Sequence, residues 1–196
     1  MRLCAGGRLA KMPEYMIRDK SEVTGMHGYV QVYTGDGKGK TTAALGLALR
    51  ASGAGLKVFI GQFAKGQEYS EIKILREKFD NIIVRQYGRD CFIVNAPKQE
   101  DIDLARAGLA EVREAILSGA YDLVILDEIN IAIYFKLFGV EDVLELIREK
   151  PEQVELVLTG RKADPQIIAA ADLVTEMKEI KHYYQKGVAA RTGIES

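Results

Sequence analysis

The chain of 196 residues has no tryptophan, only four prolines, two histidines and two cysteines. Cys4 and Cys91 are far apart and belong to no metal-type spacing, which argues against a thiolate metal site and a disulfide framework and makes a reducing cytoplasm the natural compartment. His27 and His182 stand alone, and no Ser-His-Asp or Cys-His arrangement for nucleophilic catalysis is suggested. No apolar run approaches the roughly 18 to 20 residues that span a bilayer. The opening MRLCAGGRLAKM never develops the apolar centre of a signal peptide. Neither charge dominates: 27 Lys and Arg face 28 Asp and Glu, for a formal net charge of −1. Bulk electrostatics therefore give no reason to expect nucleic acid or an anionic membrane as partner.

What is present suits one soluble domain, since 47% of the residues are hydrophobic and the length can bury a sizeable core. Residues 1–27 mix charge, glycine and methionine without periodicity and read as an N-terminal arm. From residue 28 to 196 strands and helices alternate. Tyr29 to Tyr33 (YVQVY), Leu56 to Phe63, a short run beginning Ile82 to Val84, Leu123 to Leu126, Val154 to Leu158 and Asp172 to Glu176 have strand character. Between them, Ala44, Leu47, Ala48 and Ala51 recur at helical spacing, as do Ile72, Leu75 and Phe79, then Ile102, Ala105, Leu109, Val112 and Ile116, then Val140, Val143, Leu144 and Ile147, with a short helix at Ile167 to Ala171. Several strands are continuously apolar, as strands covered on both faces are. The expectation is a doubly wound α/β fold, a mainly parallel sheet with helices on both faces and ligands beyond the carboxyl ends of the strands.

Two motifs fall at such ends. The stretch YTGDGKGKTTAALG, residues 33–46, places a glycine-rich turn between a strand and a helix. Glycine lets backbone N–H groups approach an anion, and the helix start adds partial positive charge. In the phosphate-binding pattern G-x-x-x-x-G-K-[ST], Gly39, Lys40 and Thr41 fit, with Lys40 reaching phosphates and Thr41 suited to Mg²⁺. The first glycine of that pattern is Thr34 here. Thr34, Gly35, Asp36, Gly37, Lys38, Gly39, Lys40, Thr41 and Thr42 are thus the candidate nucleotide-binding residues. The second motif, LVILDE at 123–128, delivers Asp127 and Glu128 to the same edge, where either can hold Mg²⁺, Glu128 being slightly preferred. Arg161 after the fifth strand suits phosphate or a surface salt bridge. Gln62 and Lys65, after the second strand, suit nucleotide or a second substrate, and Lys65 reads almost equally as a solvated loop residue.

With QFAKG at 62–66, GRDCFI at 88–93, LTGR at 158–161 and KHYYQKGVAARTGIES from Lys181, the chain from about Tyr29 onward resembles the P-loop type of ATP:corrinoid adenosyltransferase. The resemblance implies transfer of the 5′-deoxyadenosyl group of ATP to the cobalt of a reduced Co(I) corrinoid, with triphosphate released. The substrate metal is the nucleophile. Backbone N–H groups at 37–42, Lys40 and Mg²⁺ would receive the charge developing on the leaving triphosphate. It further implies a nucleotide lying reversed in the loop and a homodimer in which residues 1–27 can cover a partner's site. Phe92 stands at the family's aromatic position against the corrinoid, or is simply core. Val94 stands where relatives can carry a second aromatic. His182 matches a family Lys-His pair, or fixes the C-terminal segment by a hydrogen bond. The chemistry implies a separate flavoprotein reductant. Two other readings of the motifs are a P-loop kinase for a small alcohol and a non-catalytic nucleotide-dependent switch.

Overall fold

The computed structural model describes residues 27–64, 66–67, 69–89 and 96–195. The chain runs β1 (Val30–Thr34), α1 (Lys40–Gly53), β2 (Val58–Phe63), α2 (Ser70–Lys78), β3 (Ile82–Tyr87), α3 (Gln99–Leu117), β4 (Leu123–Asp127), α4 (Ile129–Tyr134), α5 (Val140–Glu149), β5 (Glu155–Thr159), α6 (Pro165–Ala170) and β6 (Leu173–Glu176), followed by a 3₁₀ turn at Tyr183–Lys186. The six strands pair in parallel in the order β3-β2-β4-β5-β1-β6. Their carboxyl ends therefore lie on one edge, and β5 separates β1 from β4.

Alternation along the strands supplies two cores. Val58, Ile60, Val84, Leu123, Ile125 and Val157 face one way and meet Ala44, Ala48 and Ala51 of α1 and Ile72 and Leu75 of α2. The alanines, at i, i+4 and i+7, let α1 lie close to the sheet. Phe59, Phe63, Val124, Leu126, Leu156 and Leu158 face the other way, against α3 to α6 through Ala105, Val112, Ile116, Ile129, Val143, Leu146 and Ile167. Burying a leucine or isoleucine side chain of this kind contributes about 1.5–3 kcal/mol. The expected fold is the observed one, with the sheet wholly parallel.

Differences from the sequence reading are local. α4 follows Asp127 almost directly, too short to show a helical repeat. Its entry needs Glu128 at φ +59°. The third strand extends through Tyr87, because Gly108 of α3 leaves room for the Tyr87 ring. Residues 1–26 lie outside the described residues. His27 is described, and its Nδ1 lies 3.0 Å from Glu152 Oε1. No described helix is long and apolar enough to cross a membrane.

Candidate active site

The turn after β1 forms where glycine alone fits. β1 stays extended through Thr34, whose carbonyl accepts from Met177 N at 2.8 Å. The chain then reverses through Gly35 at φ +93° and Gly39 at φ +118°. This accounts for Thr34 in place of the first pattern glycine: the left-handed geometry starts one residue later, and the Thr34 hydroxyl accepts from Ala163 N at 3.4 Å. Met177 runs behind the turn. A Cβ on Gly35 would stand 2.5 Å from its carbonyl oxygen, and one on Gly37 2.6 Å. The Gly37 N–H donates to the same carbonyl at 2.6 Å. It is therefore committed within the protein, a correction to the expectation that N–H groups from 37 onward face an anion. In the first turn of α1 the helix supplies N–H groups without intrahelical acceptors, which suit an anion.

Lys40 opens that helix and is buried. Its ammonium donates to Gly35 O at 2.8 Å and Gly37 O at 2.6 Å, inside the curve of the loop. Next to it, Thr41 Oγ1 donates to Asp127 Oδ1 at 2.8 Å, joining the loop to the end of β4. Thr159, at the end of the intervening β5, donates to the same oxygen at 2.7 Å, and Gln62 Nε2 donates to Oδ2 at 2.9 Å. Asp127 is 1% exposed. A carboxylate so placed is tolerated because charge-assisted bonds replace its hydration. The polar chain continues outward, since Gln62 accepts from Gln86 Nε2 at 2.9 Å and Gln86 Nε2 also donates to Gln67 O at 3.0 Å. Glu128 diverges from Asp127. Its N–H donates to Thr159 Oγ1 at 3.0 Å, and the residue lines the open cleft.

That cleft has a volume of about 700 Å³. Its floor is the loop from Gly37 to Thr41 with Glu128. One wall is a stripe of α1 comprising Thr42, Leu45, Gly46 and Leu49, and the other is the start of α2 at Tyr69, Ser70 and Glu71. Arg161, His182 and Gly193 to Glu195 form the rim.

A family model described as ATP:corrinoid adenosyltransferase BtuR/CobO/CobP matches residues 26–196. The chain belongs to this family. It is 34% identical over 169 residues to a corrinoid adenosyltransferase of Pseudomonas aeruginosa, covering 86% of this chain and 83% of that protein. It is 35% identical over 171 residues to one from Sinorhizobium sp., covering 86% and 80%. It is 33% identical over 169 residues to one from Escherichia coli K12, covering 86% and 85%.

In this adenosyltransferase the cleft collects Gly37, Lys38, Gly39, Lys40, Thr41, Thr42, Glu128 and Arg161 from the candidates. Asp127 and Gln62 lie beneath its floor, Thr34 and Gly35 behind the loop, and Asp36 is exposed beside it. Lys65 and Phe92 fall outside the described residues. Among the described residues before α3, Arg89 makes paired bonds of 2.6 and 2.8 Å to Asp101. Asp101 also accepts from Lys98 N at 2.8 Å, at the start of α3. The Arg89 guanidinium holds the Asp101 carboxyl below its usual range, and the Lys98 N–H adds to this against the opposing effect of burial.

The C-terminal rim was not foreseen. Glu195 accepts from Lys38 Nζ at 3.0 Å, from Arg191 NH2 at 3.1 Å and from Tyr183 OH. Lys38 donates also to Ile194 O at 2.9 Å. Arg191 and then Tyr183 hold the Glu195 carboxyl well below the usual range, with Lys38 adding to the effect, and Glu195 in turn pushes the Lys38 ammonium up. His182 Nδ1 accepts from Tyr184 N at 3.0 Å and caps the 3₁₀ turn. Thr159 was within reach of sequence reasoning as part of LTGR. The Lys38–Glu195 contact carries no spacing signal, because it joins residues 157 positions apart.

Proposed function

We propose that this cleft performs the reaction for which the family is named: the 5′-deoxyadenosyl group of ATP passes to the cobalt of a reduced corrinoid. The electron pair of Co(I) forms the Co–C5′ bond as the C5′–O bond breaks, and that oxygen leaves on triphosphate. Supporting the reading most directly is the 2.8 Å bond that seats the Thr41 hydroxyl on Asp127, at the floor of a cleft large enough for a nucleotide.

In this reading the chain stabilises the leaving group. Lys40 exchanges the carbonyls of Gly35 and Gly37 for phosphate oxygens. The N–H groups of the first turn of α1 add donors, and Lys38 and Arg161 add charge from the rim. The oxygen-rich set of Thr41, Asp127 and Glu128 suits Mg²⁺, which takes few protein ligands and shares phosphate oxygens. When bound, Mg²⁺ neutralises triphosphate charge. Lys65 and Phe92 are the corrinoid contacts that the resemblance implies. Gln62, with both ends of its amide engaged, acts by holding Asp127. The enzyme works in the cytosol as a homodimer, with residues 1–27 covering a partner's site and a separate flavoprotein supplying electrons.

The test is visible absorption of Co(I) cobalamin mixed with ATP and Mg²⁺. The expected result is formation of an adenosyl–cobalt bond with one triphosphate released per turnover. Release of ADP or orthophosphate without a Co–C bond overturns the proposal.

A further inference from the structure

Two glycines sit in the interiors of long helices, and only one has a packing reason. In α3, a Cβ on Gly108 would collide with the Tyr87 ring, so the helix can lie against β3 only with glycine there. Gly46, near the middle of the 14-residue α1, is exposed, and a Cβ built on it meets nothing within 4 Å among the described residues. It has no left-handed φ that would require glycine. Glycine within a helix disfavours the helix relative to alanine, and packing among the described residues does not offset that cost.

Its place in the cleft gives a reason for glycine there. Gly46 lines the cleft together with Thr42, Leu45 and Leu49 of α1, and Tyr69 also lines it. Gly46 is six residues beyond Lys40, roughly 9 Å along the helix axis. That is the scale on which the sugar and base of a nucleotide extend from its phosphates. Bare backbone between two leucines offers a flat, apolar surface on which a ring can lie in van der Waals contact.

We propose that Gly46 is a substrate-contact position, where the backbone of α1 receives the face of the nucleoside of ATP and a side chain would occupy that space. The proposal rests on the reading of the cleft as the ATP site and names the subsite for the nucleoside. Absence of nucleotide binding by the wild type would defeat that underlying reading. A selective change in the variants tests the subsite alone.

The test is Gly46→Ala and Gly46→Leu in the full chain, measured by thermal unfolding and by calorimetric binding of Mg-ATP without corrinoid, with KM for each substrate measured alongside. Helix propensity predicts that alanine raises Tm by roughly 2–4 °C. The same substitution should weaken Mg-ATP binding about 10-fold, and leucine more, while inorganic triphosphate binds as to wild type. A stabilised variant with impaired nucleotide binding is an outcome that a packing role cannot give. Unchanged Mg-ATP affinity overturns the proposal. So does a rise in KM for the corrinoid alone, which would assign the surface to the corrin ring, and so does a fall in Tm with alanine, which would show a packing need.

Discussion

At the floor of the cleft, Asp127 accepts from Thr41, Thr159 and Gln62, shielded from water. At the rim, Glu195 accepts from Lys38, Arg191 and Tyr183 close to solvent, and the Lys38 side chain is 42% exposed. Each region gathers three side-chain donors on one carboxylate. The floor is fixed by three strand ends and a helix start, whereas the rim depends on long side chains meeting on a tail without regular structure beyond one 3₁₀ turn. Burial makes the floor bonds strong and any unpaired partner costly, while water and salt weaken the rim. The position of Asp127 is therefore a property of the folded sheet, and that of Glu195 a property of local charge.

Removing charge from the floor should have the largest effect. Lys40→Ala should lower kcat by at least about 10²- to 10³-fold, as loss of a principal donor to a developing anion does, with circular dichroism unchanged. A kcat within threefold of wild type would place the leaving group elsewhere. Next comes the backing of the loop. Gly35→Ala forces φ +93° on an L side chain and sets a Cβ 2.5 Å from the Met177 carbonyl. Destabilisation of about 1–3 kcal/mol should follow, with a matching fall in denaturation midpoint.

Arg89 and Asp101 sharpen the comparison, being an ion pair of intermediate exposure. The folded-state pKa of Asp101 is depressed, so its stabilisation is present above the ordinary carboxylate range and is lost as pH falls through the depressed value. Asp101→Asn should destabilise by about 1.5–3 kcal/mol near neutrality. The deficit should shrink as acid is added, read from urea midpoints at stepped pH. A deficit independent of pH would mean that shape, not charge, matters there. The smallest effect belongs to the rim. Glu195→Gln should leave Tm nearly unchanged and raise proteolytic cleavage of the segment after Tyr183. Added salt should produce the same change in the wild type. Tail cleavage insensitive to both would show that the rim is held by packing.

Much of this site was legible because its signals are local. A strand, a glycine-rich turn and a helix beginning Lys-Thr occupy consecutive residues, and an apolar strand ending in Asp-Glu repeats the information at the same sheet edge. Glycines 37 and 39 read as making room for an anion. For Gly35 and Gly37 the room on the Cβ side is taken by Met177, a contact across more than 100 residues that no spacing announces. Gln62 was read as a substrate contact because it follows a strand, yet it is 1% exposed and bonded at both ends of its amide. The pair Asp127 and Glu128 leaves the metal-side carboxylate open in the sequence, with Glu128 only slightly preferred. The left-handed turn at Glu128 separates them, sending Asp127 beneath the floor against Thr41 and Glu128 to the cleft.

By itself, the sequence determined the alternation of strands and helices, the loop and its lysine, and the acids at the end of β4, because each depends on periodicity or on the chemistry of neighbouring residues. Only the tertiary structure decided that β5 stands between β1 and β4 so that Thr159 completes the site, that Met177 backs the loop, and that Glu195 reaches Lys38. Those contacts depend on strand order and on where distant segments cross, which are set by the packing of two apolar cores on one twisted sheet.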